Sequence, residues 1–214
     1  MRFKIENCIQ GTDEWMSIRK KYISASNFSK LITKSKKPST QWKRAVDKVI
    51  ASRLEIDDEI EDFQSQAMIR GCSLEHEAFK FLNISLGLEF EKVGFLIALD
   101  ENGNELFYGG SPDAINLEMQ IGAEIKSPLA ATHIGYLLDG GMPEEYYHQV
   151  QGLMYVTGFK EWIFMSYHPQ LPPLILKIQR DDSYINALDK IMEKCVERFN
   201  EYTNKYLIGE YDKK

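Results

Sequence analysis

"GGSPDAINLEMQIGAEIKSP", residues 109–128, sets an acid directly after a proline, then an acid and a lysine either side of one isoleucine in a strand-like run. Side chains two apart on a strand share a face, so Glu124 and Lys126 point one way and Ile125 the other. The short turn "EMQ" joins this run to "DAINLE", and a hairpin of that form brings Asp113, at the head of its strand, beside Glu124. Two adjacent carboxylates repel and raise each other's pKa unless a cation joins them. Mg²⁺ suits such a pair, because it takes a few carboxylate oxygens together with water and substrate phosphate. Lys126 is then placed to orient or help deprotonate a water, or to stabilise charge on a scissile phosphate. Ile121, Ala123 and Ile125 alternate with Gly122, Glu124 and Lys126, so a plain Glu–Lys pair on an exposed strand face fits equally well.

Two flanking helices add polar groups on apolar faces. In "SLEHEAFKFL", Ala78, Phe79 and Leu82 lie three, four and seven residues after Glu75, which puts Glu75 on the inward face. An acid there is paired, sits at the helix rim, favours the helix N-terminal dipole, or binds metal; beside Asp113 and Glu124 the ligand reading is the stronger. In "EEYYHQVQGLMYVTG", Tyr146, Gln149, Val150, Leu153 and Thr157 share a side. A buried Gln149 amide wants specific hydrogen bonds, from a core partner or from a water or substrate it positions. Arg19 and Ser26, the latter near a helix start, suit a terminal phosphate, although each singly also fits a surface arginine or an N-cap.

The rest of the chain frames these groups. Helices are expected over "TDEWMSIRKKY" with Thr12 as N-cap, in the segment after "ISAS", from about Gln41 to Leu54, over "AMIRGCSLEHEAFKFLNISLG", over "EEYYHQVQGLMYVTG", and from Asp181 almost to the end. Strands are expected in "FEKVGFLIAL", "ELFYG", "DAINLE", "IGAEIK", "EWIFMSYH" and "LPPLILKIQR", with "DENGNE" as a hairpin turn. The fold class is therefore α/β, a mixed central β-sheet flanked by α-helices. At 214 residues the chain reads as one domain: an N-terminal helical part over 1–66, a core over 67–180 and a C-terminal helix over 181–214. The stripe Ile185, Leu188, Met192, Cys195, Phe199, Tyr202, Tyr206 reads as core or subunit packing.

Composition narrows the setting. Three scattered cysteines, no apolar leader and no membrane-length segment point to a reducing cytoplasm and no membrane. The net charge of −6 leans against nucleic-acid binding, yet "KSKKPSTQWKR" (34–44) carries five basic residues and "EIDDEIED" (55–62) six acids. A local basic track and two solvated stretches both fit that pattern.

The blocks "QGTDEWMSIRKKYISAS", "RGCSLEHEA", "SPDAINLEMQIGAEIKSP" and "YYHQVQGLMYVTG" resemble, in order and spacing, the lambda-exonuclease-like viral recombinases of the YqaJ type, from about Gln10 to Asp182. Pro112-Asp113 with Glu124-Ile125-Lys126 resembles the PD-(D/E)xK nuclease signature, a short motif made specific by the accompanying blocks. The resemblance implies a restriction-endonuclease-like core and a Mg²⁺-dependent exonuclease that digests one strand of duplex DNA from a 5′-phosphorylated end, leaving a 3′ single strand. It implies two ions, with Mn²⁺ able to substitute, held by Asp113, Glu124, the Ile125 backbone carbonyl and Glu75, with Lys126 and Gln149 flanking the attacking water. Arg19 and Ser26 match a 5′-phosphate pocket with Ser24 beside it, Tyr146 an active-site tyrosine, and Met68 an apolar wedge between the strands. The family also implies a homotrimeric ring, a single-strand annealing protein as partner and a host-cell cytoplasm. One departure is Thr132 and His133, where the family can place a basic residue that grips DNA; His133 replaces it only weakly at neutral pH. An endonuclease of restriction or repair on the same core is the second reading. A decayed DNA-end-binding protein conflicts with the intact acids and lysine, and the four histidines have no ligand spacing.

Overall fold

The structure, a computed structural model, describes residues 2–56 and 66–209, without the side chains of residues 66–73 and 207–209. Short apolar runs bounded by turn residues form eight strands among the described residues, in two four-stranded sheets. The first is ordered β1-β3-β4-β2 and comprises β1 (Phe3–Glu6), β2 (Ile23–Ser24), β3 (Phe95–Leu99) and β4 (Glu105–Gly110). The second runs β5-β6-β7-β8 and comprises β5 (Ala114–Asn116), β6 (Ile121–Lys126), β7 (Glu161–Ser166) and β8 (Leu174–Gln179). Each is mixed, with β2–β4 and β6–β7 parallel and the other pairings antiparallel. The α/β class thus holds, with the strands divided over two mixed sheets rather than one.

The "DENGNE" turn closes the β3–β4 hairpin as expected. The Asp100 carboxylate accepts hydrogen bonds from the backbone of Asn102 and Asn104, both at 2.8 Å, and Gly103 supplies a φ of 85°. A parallel β6–β7 pair needs a crossover, and α4 (Ala130–Asp139) and α5 (Tyr147–Thr157) provide it. Helix α4 is absent from the sequence reading. Only His133 of that helix is buried, so its outward apolar residues gave no inward stripe to recognise. The N-terminal part, expected to be helical apart from a short extended piece at "ISAS", supplies β2 at that piece and also β1, whose four residues are too short for a periodic signal.

Other helices match their signals. Helix α1 (Asp13–Arg19) is capped by the Thr12 side chain, which accepts from the Trp15 backbone N–H. A 3₁₀ segment (Ala25–Lys30) leads towards α2 (Trp42–Arg53), and α3 (Gln66–Leu86) follows. Asp181 caps α6 (Asp182–Tyr202), and α5 stops at Gly158 with φ 77°. Residues 57–62 of the acidic run lie outside the described residues. No helix among the described residues is long and apolar enough to cross a membrane.

Two apolar clusters fix the strand that carries the site. Ile121, Ala123 and Ile125 of β6 pack with Ile163 and Met165 of β7 and with Ala78 and Leu82 of α3. Trp162, Leu153, Phe28, Tyr184 and Leu188 belong to the larger cluster, into which α6 also packs Met192 and Cys195. Strand β6 is thus covered on both faces, and Glu124 is only 1% exposed. That burial removes the reading of Glu124 and Lys126 as a pair on an exposed strand.

Candidate active site

The β5–β6 hairpin pairs Ala114 with Ala123, which sets Asp113 alongside Glu124 and Ile125. The Asp113 carboxylate accepts the Ile125 backbone N–H at 2.6 Å, so one acid is pinned to the strand that carries the other. Glu124 Oε1 accepts from the Lys126 ammonium and from the Gln149 amide, the latter at 2.6 Å. Glu124 Oε2 is buried with no hydrogen-bond partner. An unpaired buried carboxylate oxygen is costly, and a cation bound there would satisfy it. The donor set of Asp113, Glu124 and the Ile125 carbonyl is all oxygen, the chemistry that a hard divalent ion takes.

Electrostatics agree with that geometry. Burial, then the neighbouring Asp113, pushes the Glu124 pKa up to about 7, against the opposing pull of Lys126 and Gln149. Burial likewise raises the Asp113 pKa, opposed by Lys126 and the Ile125 N–H. Burial on its own lowers the Lys126 pKa, but Glu124 and Asp113 outweigh it and drive the group up to about 12. Lys126 is therefore an ammonium donor in this state rather than a base. It lies 5.2 Å from the centre of the Tyr146 ring, which in turn stacks on Phe164 at 5.4 Å.

These groups line one cleft of about 490 Å³, which also takes in Glu75, Arg19, Ser24 and Ser26. A smaller cavity of about 160 Å³, bounded by Asp47, Arg198 and Tyr202, contains none of them. Glu75 faces the cleft from α3, but its carboxylate accepts from Lys92 Nζ at 2.7 Å. Among the described residues no three His, Cys, Asp or Glu side chains converge closely enough to hold an ion; the acids that act on each other most directly are Asp113 and Glu124.

In the same cleft, Arg19 Nη2 donates to Ser26 Oγ at 2.7 Å and Ser26 Oγ donates to Ser24 Oγ at 3.3 Å. The Arg19 guanidinium lies 5.0 Å over the Trp15 ring, and Trp15 Nε1 donates to Ser111 Oγ at 2.9 Å. Burial lowers the Arg19 pKa from its ordinary value. Gln10 Nε2 donates to the carbonyls of Val93 and Pro112 at 2.8 and 2.9 Å, tying the N-terminal segment to the residue before Asp113. Sequence reasoning gave Gln10, Trp15, Ser111 and Lys92 no part in the site. The first three lie inside the quoted motif blocks, whereas Lys92 has no local signal at all. The Met68 side chain lies outside the described residues.

His133 corrects an expectation. It is fully buried, with Nδ1 2.7 Å from Ser166 Oγ and Nε2 2.9 Å from the Pro172 carbonyl. A carbonyl only accepts, so Nε2 carries a proton, while Nδ1 is engaged by the serine hydroxyl. His133 is a core histidine, with no ring nitrogen left to grip DNA; Thr132 beside it is exposed.

Residues 14–160, well over half of the chain, match the YqaJ-like viral recombinase domain. The chain belongs to the YqaJ-like viral recombinase family. The matched span includes every cleft residue named above except Gln10. Among solved structures, the chain is similar to an alkaline exonuclease, LHK-Exo from Laribacter hongkongensis. The identity is 26% and the TM-score 0.70, over 92% of this chain and 98% of that one. LHK-Exo in complex with dAMP matches with a TM-score of 0.69 over the same shares and at the same identity. A phage related exonuclease from Haemophilus somnus 129PT shares the fold, at 16% identity and a TM-score of 0.58, over 86% and 96% of the two chains. No curated protein matches the chain. The PD-(D/E)xK-like fold of this family is the α/β class expected from the sequence.

Proposed function

We propose that the chain is a Mg²⁺-dependent exonuclease that degrades one strand of duplex DNA from a 5′-phosphorylated end and leaves a 3′ single strand, within a phage or viral recombination system. The broader class, a nuclease that hydrolyses DNA, follows from the family. The observation that carries the reading is half-buried Asp113 beside fully buried Glu124, with Glu124 Oε2 open and the Lys126 ammonium alongside.

Asp113, Glu124 and the Ile125 carbonyl would hold the ion, Mg²⁺ or Mn²⁺ in its place, with Glu75 at the rim available to a second. Divalent ions there supply Lewis-acid neutralisation of the scissile phosphate and an acidified water. The chain's own groups do the positioning. Gln149 fixes the Glu124 carboxylate, and Lys126, backed by Tyr146, donates hydrogen bonds to the attacking water and to charge growing on the phosphate. Arg19, Ser24 and Ser26 receive the terminal phosphate, where a guanidinium and hydroxyls give charge-assisted bonds. Met68 serves as the wedge, and residues 1–66 as the end-binding part ahead of the catalytic core. The partners are duplex DNA ends, a single-strand annealing protein and two further copies in a ring.

Linear duplexes that differ only in the 5′ group test the reading. Phosphorylated ends are degraded faster than 5′-hydroxyl ends, and Arg19→Ala narrows the ratio. Equal rates for the two ends in the unaltered protein contradict the phosphate pocket.

A further inference from the structure

Lys92 is a cationic side chain paired with the cleft residue Glu75, and it has no part in the mechanism above. Its backbone is delivered there by an isolated bridge: Glu91 N–H donates to the Ile115 carbonyl at 2.8 Å and Ile115 N–H to the Glu91 carbonyl at 2.9 Å. Ile115 lies two residues after Asp113, so the bridge fixes Lys92 beside the strand that begins at the acidic pair. From there Lys92 Nζ reaches Glu75 at 2.7 Å and lies 5.5 Å from the centre of the Phe79 ring, one turn further along α3. Both partners of the ion pair are about two-fifths exposed, at 43% and 40% of their side-chain surface, so it opens without disturbing the core. Electrostatically, Lys92 favours the ionised form of Asp113 and Glu75 disfavours it, which puts all three within one field.

Building on the metal-site reading, we propose that Lys92 is a built-in competitor for the third carboxylate: it neutralises Glu75 in the ion-free protein and must release it before Glu75 joins a divalent ion. The site therefore binds the ion more weakly than its acids alone would, and one positive charge is freed beside the DNA backbone when the ion enters. A partly exposed ion pair contributes little, which sets the scale of the effect at roughly two- to five-fold in ion affinity.

Calorimetric titration of Mn²⁺ alone, without DNA, tests this in four proteins: the unaltered chain, Lys92→Met, Glu75→Gln and the double variant, with Lys92→Arg as the charge-retaining control. Thermal unfolding checks that each is folded. Lys92→Met binds Mn²⁺ roughly two- to five-fold more tightly, Lys92→Arg binds like the unaltered chain, and Glu75→Gln erases the gain. Unchanged affinity in Lys92→Met overturns the proposal, as does a gain that persists in the Glu75→Gln background, which would be a field effect on Asp113 and Glu124. Failure of the unaltered chain to bind Mn²⁺ instead overturns the metal-site reading on which it rests.

Discussion

At the scale of single residues, the chemistry turns on a carboxylate that is 1% exposed beside a second carboxylate. Two such neighbouring carboxylates raise each other's pKa, which the Lys126 ammonium opposes and a bound divalent ion would oppose further. Asp113→Ala removes one carboxylate of the proposed metal site, and Lys126→Ala removes one of the two donors to Glu124, the other being Gln149. Each is expected to lower Mg²⁺-dependent digestion by at least about 100-fold with the circular dichroism of the fold retained. Undiminished activity in either variant contradicts the assignment. The ion-free protein also carries a pH signature. Glu124 is pushed from 4.5 to about 7, so it holds its proton more tightly folded than unfolded. Its contribution to stability is full below about pH 4.5 and lost as pH rises through about 7. In chelator-treated protein the urea midpoint should therefore fall across that window. Glu124→Gln, which stays neutral, should fall less, and parallel curves would contradict the shift.

At the scale of elements, glycine and tryptophan set the geometry of β6, the strand that carries Glu124 and Lys126. A Cβ at Gly122 would lie 2.2 Å from the ring of fully buried Trp162, so Gly122→Ala must displace that ring within the core. It should destabilise the fold by about 1–3 kcal/mol in urea unfolding. Gly135→Ala, on α4 with nothing within 4 Å, should be neutral or stabilise by up to about 1 kcal/mol. The elements differ in how legible they were. The β5–β6 hairpin, the Thr12 and Asp181 caps and the Gly158 stop carry their information locally, in periodicity, capping oxygens and turn residues. Strand β1 exists because Phe3–Glu6 pairs with Phe95–Ala98, a contact between segments ninety residues apart that no local pattern announces. His133 misled because the sequence shows a polar residue but neither the helix that carries it nor the serine and carbonyl that bury it. Lys92 was invisible for the same reason: only the Glu91–Ile115 bridge brings it to Glu75.

At the scale of the molecule, the acidic net charge of −6 and a DNA substrate are reconciled by where charge sits. Arg19, Ser24 and Ser26 line the same cleft as Asp113, Glu124 and Lys126, so the proposed end-phosphate and scissile-bond groups share one surface. In a ring of three copies, basic residues would line the passage while the outside stays acidic. An enzyme that starts from a terminal phosphate needs an end. The most direct measurement is thus a timed Mg²⁺ digestion of end-labelled linear duplex beside the same sequence as a closed circle. The linear DNA should lose nucleotides progressively from its 5′ strands while the circle persists. Equal loss of the circle, or digestion that proceeds unchanged with the ion chelated, would contradict the account.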